Sequence, residues 1–228
     1  MSARLGVLKK APTREQNKER TRESLMRAAR VVFVRDGVQR AKISEIASEA
    51  GVAHGTFYVH FKNKAEVVDR LIAEFNREHG RRLVATAIQH LPHGARAVIR
   101  AQARSHIEYW RENADFFPVV VDHVARHSTS EPLLLRDVGD NIAAFADEVL
   151  ASCNLKARVP TRELARIIVN LWRQSGLHVA TDPNVRVEDA ALALELSTIA
   201  IYDALAPGLI DISRRALATA YRRMTKRG

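Results

Sequence analysis

Apolar residues recur at helical spacing along almost the whole chain. A Thr13-x-x-Gln16 pattern, in which each side chain can bond the other residue's backbone, opens a first helix whose apolar residues repeat at three- and four-residue spacing until Gly37. No convincing strand alternation, internal repeat or low-complexity tract interrupts this pattern, so the predicted fold class is all-α. Beyond residue 90 the pattern predicts helices at about 94–113, 115–127, 132–153, 161–180, 187–206 and 211–225.

Two short helices follow the first one and meet at a glycine. Ile43, Ile46 and Ala47 share one face of the second helix, which ends where Gly51 can adopt a left-handed conformation, and a third helix begins within three residues. Two helices joined by such a turn are typical of a helix-turn-helix, which places its second helix in the DNA major groove. We expect an N-terminal arm and helix-turn-helix domain at 1–62, and a larger ligand-binding and dimerisation domain of helices at 63–228.

Positive charge is concentrated at the N-terminal end. Residues 1–82 hold 18 Lys and Arg against 10 Asp and Glu, whereas residues 83–228 hold 18 against 16. This asymmetry favours an N-terminal part that binds a polyanion, with nucleic acid or an anionic membrane as candidates, although a solvated basic face without a partner stays open.

Other classes of protein find little support in the composition. The single cysteine, Cys153, excludes an intrachain disulfide and fits a reducing compartment. We find no signal peptide and no apolar run of the ~18 residues that a membrane span requires, so we expect a soluble, cytoplasmic protein without a membrane partner. His123 and His127 lie four apart, but a third ligand is not evident, and no phosphate loop, nucleophile elbow or carboxylate pair is found. We therefore expect no metal, no cofactor and no catalytic residues.

The third helix has the residue types of a DNA-reading helix. On a helical wheel Phe57 and Phe61 form an apolar edge, with Gly55 and Val59 on the far side, where small side chains allow the backbone to approach base edges. The hydroxyls of Thr56 and Tyr58 flank that face. His54 and His60 lie at its rims, where phosphates would be, and Lys64 adds charge at the start of the next helix.

Residues from about Thr21 to Leu71 resemble the DNA-binding domain of the TetR family of bacterial transcriptional regulators. The resemblance rests on an alanine pair with Phe33 and Gly37, then I-A-x-x-A-G-V, G-T-F-Y-x-H-F and K-x-K at family spacing. It implies a homodimer that binds a palindromic double-stranded DNA operator and releases it when a small-molecule inducer occupies the larger domain. Beyond residue 71 the chain matches the family only in the number and length of its helices.

The resemblance also implies roles for single residues. Gly55, Thr56, Tyr58, His60 and Lys64 occupy positions that commonly contact DNA in this family, and His54 stands where members often read bases. Lys42 departs from the family pattern, because many members have a Ser or Thr there that caps the second helix and touches phosphate. A lysine cannot cap in that way, although it can reach a phosphate as a point charge, and Ser44 is a further candidate contact.

The helix at 187–206 is apolar around most of its circumference, so we expect it to be buried on more than one side. Together with the preceding helix it is a candidate half of a four-helix dimer interface. The preceding helix would contribute Leu164, Ile167, Ile168, Leu171, Trp172 and Val179. A central core helix of a monomer is the open alternative.

Aromatic and histidine side chains in the larger domain suggest a site for a small, mostly apolar ligand. Each of them could instead belong to the plain core, because aromatic residues at helical spacing are common there. The candidate lining consists of Phe75, His79, Tyr109, Trp110, Phe117, His123, Phe145 and Trp172.

The sequence thus favours a ligand-responsive transcriptional repressor. The alternatives are a small-molecule-binding or metal-dependent enzyme with a basic docking module, and a DNA-binding protein that needs no inducer.

Overall fold

The computed structural model describes residues 13–127 and 133–225, and over these residues the chain is built from α-helices and short 3-10 turns, with no β-strand. The all-α fold class is confirmed. None of the helices described is both long and apolar enough to cross a membrane.

The N-terminal helices begin and end where local side-chain chemistry predicts. Thr13 and Gln16 form both halves of a capping box, with the Gln16 amide donating to the Thr13 hydroxyl at 3.2 Å and the Thr13 amide donating to the Gln16 side chain at 2.8 Å. The helical backbone of the first helix is interrupted at Gly37, whose φ is +74°. Asn63 accepts a hydrogen bond from the Glu66 amide at 2.9 Å at the start of the fourth helix. The first four helices are α1 (Arg14–Arg40), α2 (Ile43–Glu49), α3 (His54–His60) and α4 (Lys64–His90).

The chain divides into two compact units, Met1–Leu71 and Ile72–Gly228. This division lies nine residues beyond the expected boundary at 62, because Val67, Val68 and Leu71 in the first turns of α4 are buried with the N-terminal helices. The rest of this first core consists of Leu25, Ala28, Ala29, Val32, Phe33, Val38, Ala41, Ile46, Ala47, Phe57 and Phe61.

The second unit contains the rest of α4 and six further helices within the described residues. Pro118 lies in the first turn of its helix, where the missing amide hydrogen has no intrahelical acceptor to lose. The helices are α5 (Ala95–Glu112), α6 (Phe117–His127), α7 (Leu133–Cys153), α8 (Thr161–Thr181), α9 (Val187–Leu205) and α10 (Arg214–Thr225).

Helices α5, α8 and α9 enclose one part of the second core around Ala103, Ile107, Val179 and Leu194. Val149 and Leu150 of α7 pack with Leu164 of α8 in another part. Leu164, Ile168 and Val179 are each less than 5% exposed. These three α8 side chains therefore lie in the core of their own chain, and they are not available for the dimer interface to which the sequence assigned them.

Candidate nucleic-acid interface and buried aromatic cluster

The turn between α2 and α3 is closed by backbone hydrogen bonds. Gly51 has φ +71°, and the Val52 amide donates to the Ala47 carbonyl at 2.9 Å. The Ser24 hydroxyl of α1 donates to the Ala50 carbonyl at 3.3 Å, which ties the end of α2 to α1. The left-handed conformation expected at Gly51 is present, and it sets the direction in which α3 leaves the turn.

Helix α3 has one buried and one exposed side. Phe57 is fully buried and Phe61, just after the helix, is 2% exposed, with their ring centroids 5.7 Å apart. On the other side Tyr58 is 55% and Val59 is 69% exposed. His54 is also exposed, and its ring lies edge-on to Tyr58 at 5.6 Å. The fold thus presents a contiguous surface of small, hydroxyl-bearing and imidazole side chains on a helix anchored by two phenylalanines.

Gly55 lies on this surface without a packing reason in the folded domain. A Cβ atom built on Gly55 meets nothing within 4 Å, and its backbone does not have a positive φ. The space above Gly55 suits the close approach of another molecule.

Thr56 and His60 are half-buried at the edges of the exposed surface. Burial, together with the charges of Lys18 and Arg22, lowers the pKa of the His60 imidazole, while Glu19 opposes the shift. At neutral pH His60 is therefore a neutral hydrogen-bonding group rather than a cation.

Lys42 and Ser44 lie at the start of α2, and both are exposed. The Lys42 amide donates to the Glu45 carboxylate at 3.3 Å, and its ammonium group is 3.9 Å from the other Glu45 oxygen. Because an ammonium group cannot accept a hydrogen bond, only the glutamate half of a capping box exists here. The Lys42 side chain stays 74% exposed and free to extend toward an anion.

Lys64 has a structural role that the sequence did not indicate. Its ammonium group donates to the Gln39 carbonyl at 3.0 Å and to the Ala41 carbonyl at 2.8 Å. These carbonyls lie at the end of α1, which the Gly37 interruption leaves without regular helical bonding. An ammonium group has three donors, and these two carbonyls use two of them.

Five of the expected ligand-lining residues come together in the second unit. Ring centroids are 4.9 Å apart for Phe75 and Tyr109, 5.2 Å for His79 and Tyr109, and 5.1 Å for Trp110 and Phe117. Trp172 contacts this group by way of His106, and the ring centroids of His106 and Trp172 are 5.1 Å apart. The side chains of His123 and Phe145 lie outside the described residues.

His106, which the expected lining left out, connects this cluster. Its Nε2 lies 2.8 Å from the Trp172 carbonyl oxygen, so Nε2 carries the proton, and its Nδ1 accepts from Nε2 of His79 at 2.9 Å. Burial lowers the pKa of His106 to about 3 and that of His79 to about 4, with the neighbouring cation Arg82 contributing at His79. Both imidazoles are therefore neutral at pH 7. The sequence feature that could have placed His106 in the cluster is its position three residues before Tyr109 and four before Trp110, on the same face of α5.

The two tryptophans differ in their hydrogen bonding. The Trp172 indole N–H donates to the Thr198 hydroxyl at 3.0 Å. The Trp110 indole nitrogen is buried and has no acceptor among the residues that the structure describes. Gly176 of α8 packs on the Trp110 ring so closely that an added Cβ would lie 2.4 Å from Cδ2. The cluster is thus a tightly packed aromatic group that contains one unsatisfied donor.

Comparison with known proteins agrees with this arrangement. Residues 25–71 match the family model for bacterial regulatory proteins of the tetR family. The chain is 40% identical over 67 residues to the HTH-type transcriptional regulator TtgR of Pseudomonas putida, which covers 29% of this chain and 31% of that protein. It thus spans about a third of the length of the curated relatives that it matches.

Solved structures extend the likeness in fold. A TetR-family transcriptional regulator from Pectobacterium atrosepticum superposes with a TM-score of 0.62 at 22% identity, covering 83% of this chain and 97% of that one. The structure of a SmeT–triclosan complex superposes with a TM-score of 0.56 at 19% identity, covering 83% of this chain and 93% of that one. The sequence match to the tetR family model covers residues 25–71, and the fold of most of the chain is that of solved TetR-family regulators.

Proposed function

We propose that this protein is a ligand-responsive transcriptional repressor, which binds a palindromic DNA operator as a homodimer and is released by a small, mostly apolar inducer. The observation that carries the proposal is the exposed side of α3, where Tyr58 and Val59 stand on a helix anchored by Phe57 within the matched domain. Side chains that are more than half exposed on a seven-residue helix add little to the core, but they suit a base edge or a thymine methyl group.

Each residue of this surface has a distinct part in the proposed DNA contact. Gly55 allows the backbone to approach the bases, Val59 and His54 read base edges, and the hydroxyls of Thr56 and Tyr58 bond a phosphate oxygen or a base edge. His60, Lys42, Ser44 and the remaining donor of Lys64 contact the backbone at the rim.

A homodimer follows from the symmetry of the proposed operator. A palindrome presents two half-sites about 34–36 Å apart, and only two symmetry-related reading helices engage both of them. Helix α9 offers a surface for this assembly, because Leu192 and Leu196 are 54% and 56% exposed in the single chain.

The aromatic cluster is the proposed inducer site. It combines an apolar surround with the few polar groups that orient a small ligand, and the buried Trp110 N–H offers a donor to an acceptor atom of the ligand. One structure with the same fold is a complex with triclosan, which makes triclosan a reasonable first probe. An inducer would act by binding a conformation in which the reading helices do not fit successive major grooves, and the operator affinity would fall by its preference for that conformation.

The DNA-binding proposal is tested by selecting duplexes from a random pool with the purified protein and measuring their affinity by fluorescence anisotropy. We expect a palindromic consensus, and an affinity at least tenfold lower for Tyr58→Ala combined with Val59→Ala, since each lost base-pair match costs ~1–3 kcal/mol. Val84→Ala is the matched control, because Val84 is an exposed valine of the second unit. Equal affinity of the Tyr58/Val59 variant and the wild type would show that α3 is not the reading helix.

The inducer proposal is tested by titrating triclosan into the preformed protein–duplex complex. We expect anisotropy to fall as the DNA dissociates. Trp110→Phe keeps an aromatic ring but removes the N–H donor, and we expect it to raise the required triclosan concentration by about threefold to tenfold, the worth of one hydrogen bond. An unchanged response of Trp110→Phe would exclude this donor from the site.

A further inference from the structure

Three cations on α1 lie four residues apart. Arg14, Lys18 and Arg22 therefore follow one side of the helix, which the Thr13 capping box holds in register from its first turn. Arg14 and Lys18 are exposed, and the side chain of Arg22 is 30% exposed. We call this row of residues the α1 basic stripe.

The α1 basic stripe runs beside the carboxyl end of the reading helix. The guanidinium carbon of Arg22 lies 5.7 Å from the ring centroid of Phe61, the residue that directly follows α3. The charges of Lys18 and Arg22 both act on His60, the last residue of α3, where they lower the pKa of its imidazole. The ring contact places Arg22 at the end of α3, and Lys18 lies one turn earlier on the same side of α1, where its charge acts on His60.

Cations beside this end of α3 favour the approach of a DNA backbone. The carboxyl end of a helix carries a partial negative charge, and His60 is neutral at pH 7. An acid that adjoins the stripe is Glu19, whose carboxylate is 3.9 Å from the Arg22 guanidinium group. Such an exposed pair is weak and screened by salt, so it leaves Arg22 available for a phosphate.

We propose that Lys18 and Arg22, with Arg14 one turn earlier, form a second DNA-contacting surface of this domain, which holds the sugar-phosphate backbone beside the groove that α3 enters. This inference rests on the proposed DNA-binding function and adds to it residues outside the helix-turn-helix. Ammonium and guanidinium groups neutralise phosphates without reading bases, so the stripe contributes affinity and orientation rather than sequence preference.

The experiment needs no operator, because phosphate contacts do not depend on sequence. The probe is a fluorescent duplex of about 30 base pairs of arbitrary sequence, and its dissociation constant is measured by anisotropy over a series of KCl concentrations. For Lys18→Gln combined with Arg22→Gln, we expect the slope of log affinity against log salt to become shallower by about 1.8 per bound domain, about 0.9 for each lost phosphate contact.

Arg27→Gln is the matched control. Arg27 lies on the opposite side of α1 and has an acid partner, Glu23, at the same 3.9 Å that separates Arg22 from Glu19. Arg27→Gln therefore removes the same single charge and the same kind of ion pair as Arg22→Gln alone, but from a side of the helix that does not adjoin α3, so a slope change found only on the stripe side is not a general charge effect. Glu19→Gln tests the opposite sign, and we expect it to bind the duplex more tightly than the wild type.

The outcomes separate this inference from the proposed function. If the double variant and Arg27→Gln have the same salt slope, the α1 basic stripe does not touch DNA, while salt-dependent binding by the wild type still supports the DNA-binding function. If the wild type itself fails to bind the duplex, both proposals are overturned. Should circular dichroism show that the double variant is unfolded, Lys18→Gln alone decides, because Lys18 is exposed; a slope shallower by about 0.9 supports the stripe and an unchanged slope refutes it.

Discussion

The indole of Trp110 occupies the space in which a side chain on residue 176 would stand. A Cβ there would lie 2.4, 2.6 and 2.7 Å from three atoms of the ring system. Glycine inside a helix costs about 1 kcal/mol relative to alanine, so Gly176 in the middle of α8 requires a reason, and the close approach of the indole supplies it. The glycine is visible in the sequence, but its partner is seen only in the structure.

Gly176→Ala should therefore destabilise the second unit. The gain in helix propensity is outweighed by the displacement of a buried ring, and we expect a net loss of about 1–3 kcal/mol in the free energy of unfolding. Urea unfolding followed by tryptophan fluorescence measures it, because the chain has two tryptophans and both lie in the second unit.

Gly80→Ala is the control for this change. Gly80 also lies inside a helix of the second unit, but an added Cβ meets nothing within 4 Å. We expect it to gain up to about 1 kcal/mol from reduced backbone entropy of the unfolded chain. If the two alanine variants were equally stable, the packing of Gly176 on Trp110 would have no energetic importance.

The buried pair His79 and His106 makes the second unit sensitive to acid. Their pKa values of about 4 and about 3 lie below the ordinary 6.5, so below pH 6.5 the unfolded chain binds protons that the folded chain does not. Stability is full above pH 6.5, falls as the pH falls, and stops falling only below the folded-state values. Between pH 7 and pH 5 we expect a loss of about 2 kcal/mol for each imidazole.

Urea unfolding at pH 7, 6 and 5 measures this loss. In His79→Gln the loss should be about half that of the wild type. His178→Gln replaces an exposed histidine of the same unit and should leave the pH dependence unchanged. A pH dependence that is the same in all three proteins would mean that the buried imidazoles do not cause it.

At the scale of elements, local patterns predicted the ends of the helices well. The Thr13 and Gln16 capping box and the left-handed Gly51 both depend on residues within three or four positions, so the adjacent sequence is enough to predict them. The compact units divide at Leu71 rather than at the expected 62, because burial of the first turns of α4 depends on residues far away in the chain.

In the candidate sites, too, local features could be predicted from the sequence and contacts between distant residues could not. The two sides of α3 follow from a helical wheel, so its exposed surface was predictable. Three other findings join residues 23 or more positions apart, which no spacing argument reaches: Lys64 with the end of α1, His106 between His79 and Trp172, and Trp172 with Thr198.

Lys64 joins two elements, so its loss should weaken the local fold as well as DNA binding. In Lys64→Ala the Gln39 and Ala41 carbonyls lose a charged donor, an interaction of about 1.5–3 kcal/mol. Hydrogen–deuterium exchange at 38–46 should become faster, and affinity for the arbitrary duplex should fall.

Lys42→Ala is the comparison for this element. Lys42→Ala removes the same charge from an exposed side chain that bridges no elements, so we expect weaker DNA binding without faster exchange at 38–46. Equal exchange in the two variants would mean that Lys64 does not secure the end of α1.

At the scale of the molecule, α9 buries two polar side chains in its own chain and exposes two leucines. Glu195 and Thr198 are buried, with Arg100 and Trp172 as their partners, whereas Leu192 and Leu196 are more than half exposed. Within one chain α9 is therefore buried on one side only, and the burial on a second side that its sequence suggests is what a second copy would supply.

Leu192→Lys combined with Leu196→Lys should convert the proposed dimer into a monomer, since opposing lysines would be desolvated and repel each other. Light scattering after size-exclusion chromatography measures the mass. We expect the affinity for a palindromic duplex to fall at least tenfold, because one reading helix replaces two.

Val84 and Ile88 provide the control pair. They are also four apart and apolar, on α4, with exposures of 50% and 52%. Lysines at these two positions should leave the dimer intact. Dissociation of this control, with the α9 variant still dimeric, would place the interface on α4 instead.

The hydrogen bonds around His106 all point in one direction. His79 on α4 donates to His106 on α5, His106 donates to the Trp172 carbonyl on α8, and the Trp172 indole donates to Thr198 on α9. Apolar side chains tolerate sliding against one another, but a chain of donors and acceptors does not, because a one-residue shift of any member leaves a buried group unsatisfied. These three hydrogen bonds thus fix the register of four helices relative to one another. A molecule that breaks one of them by inserting between donor and acceptor would have to offer an acceptor to the donor and a donor to the acceptor.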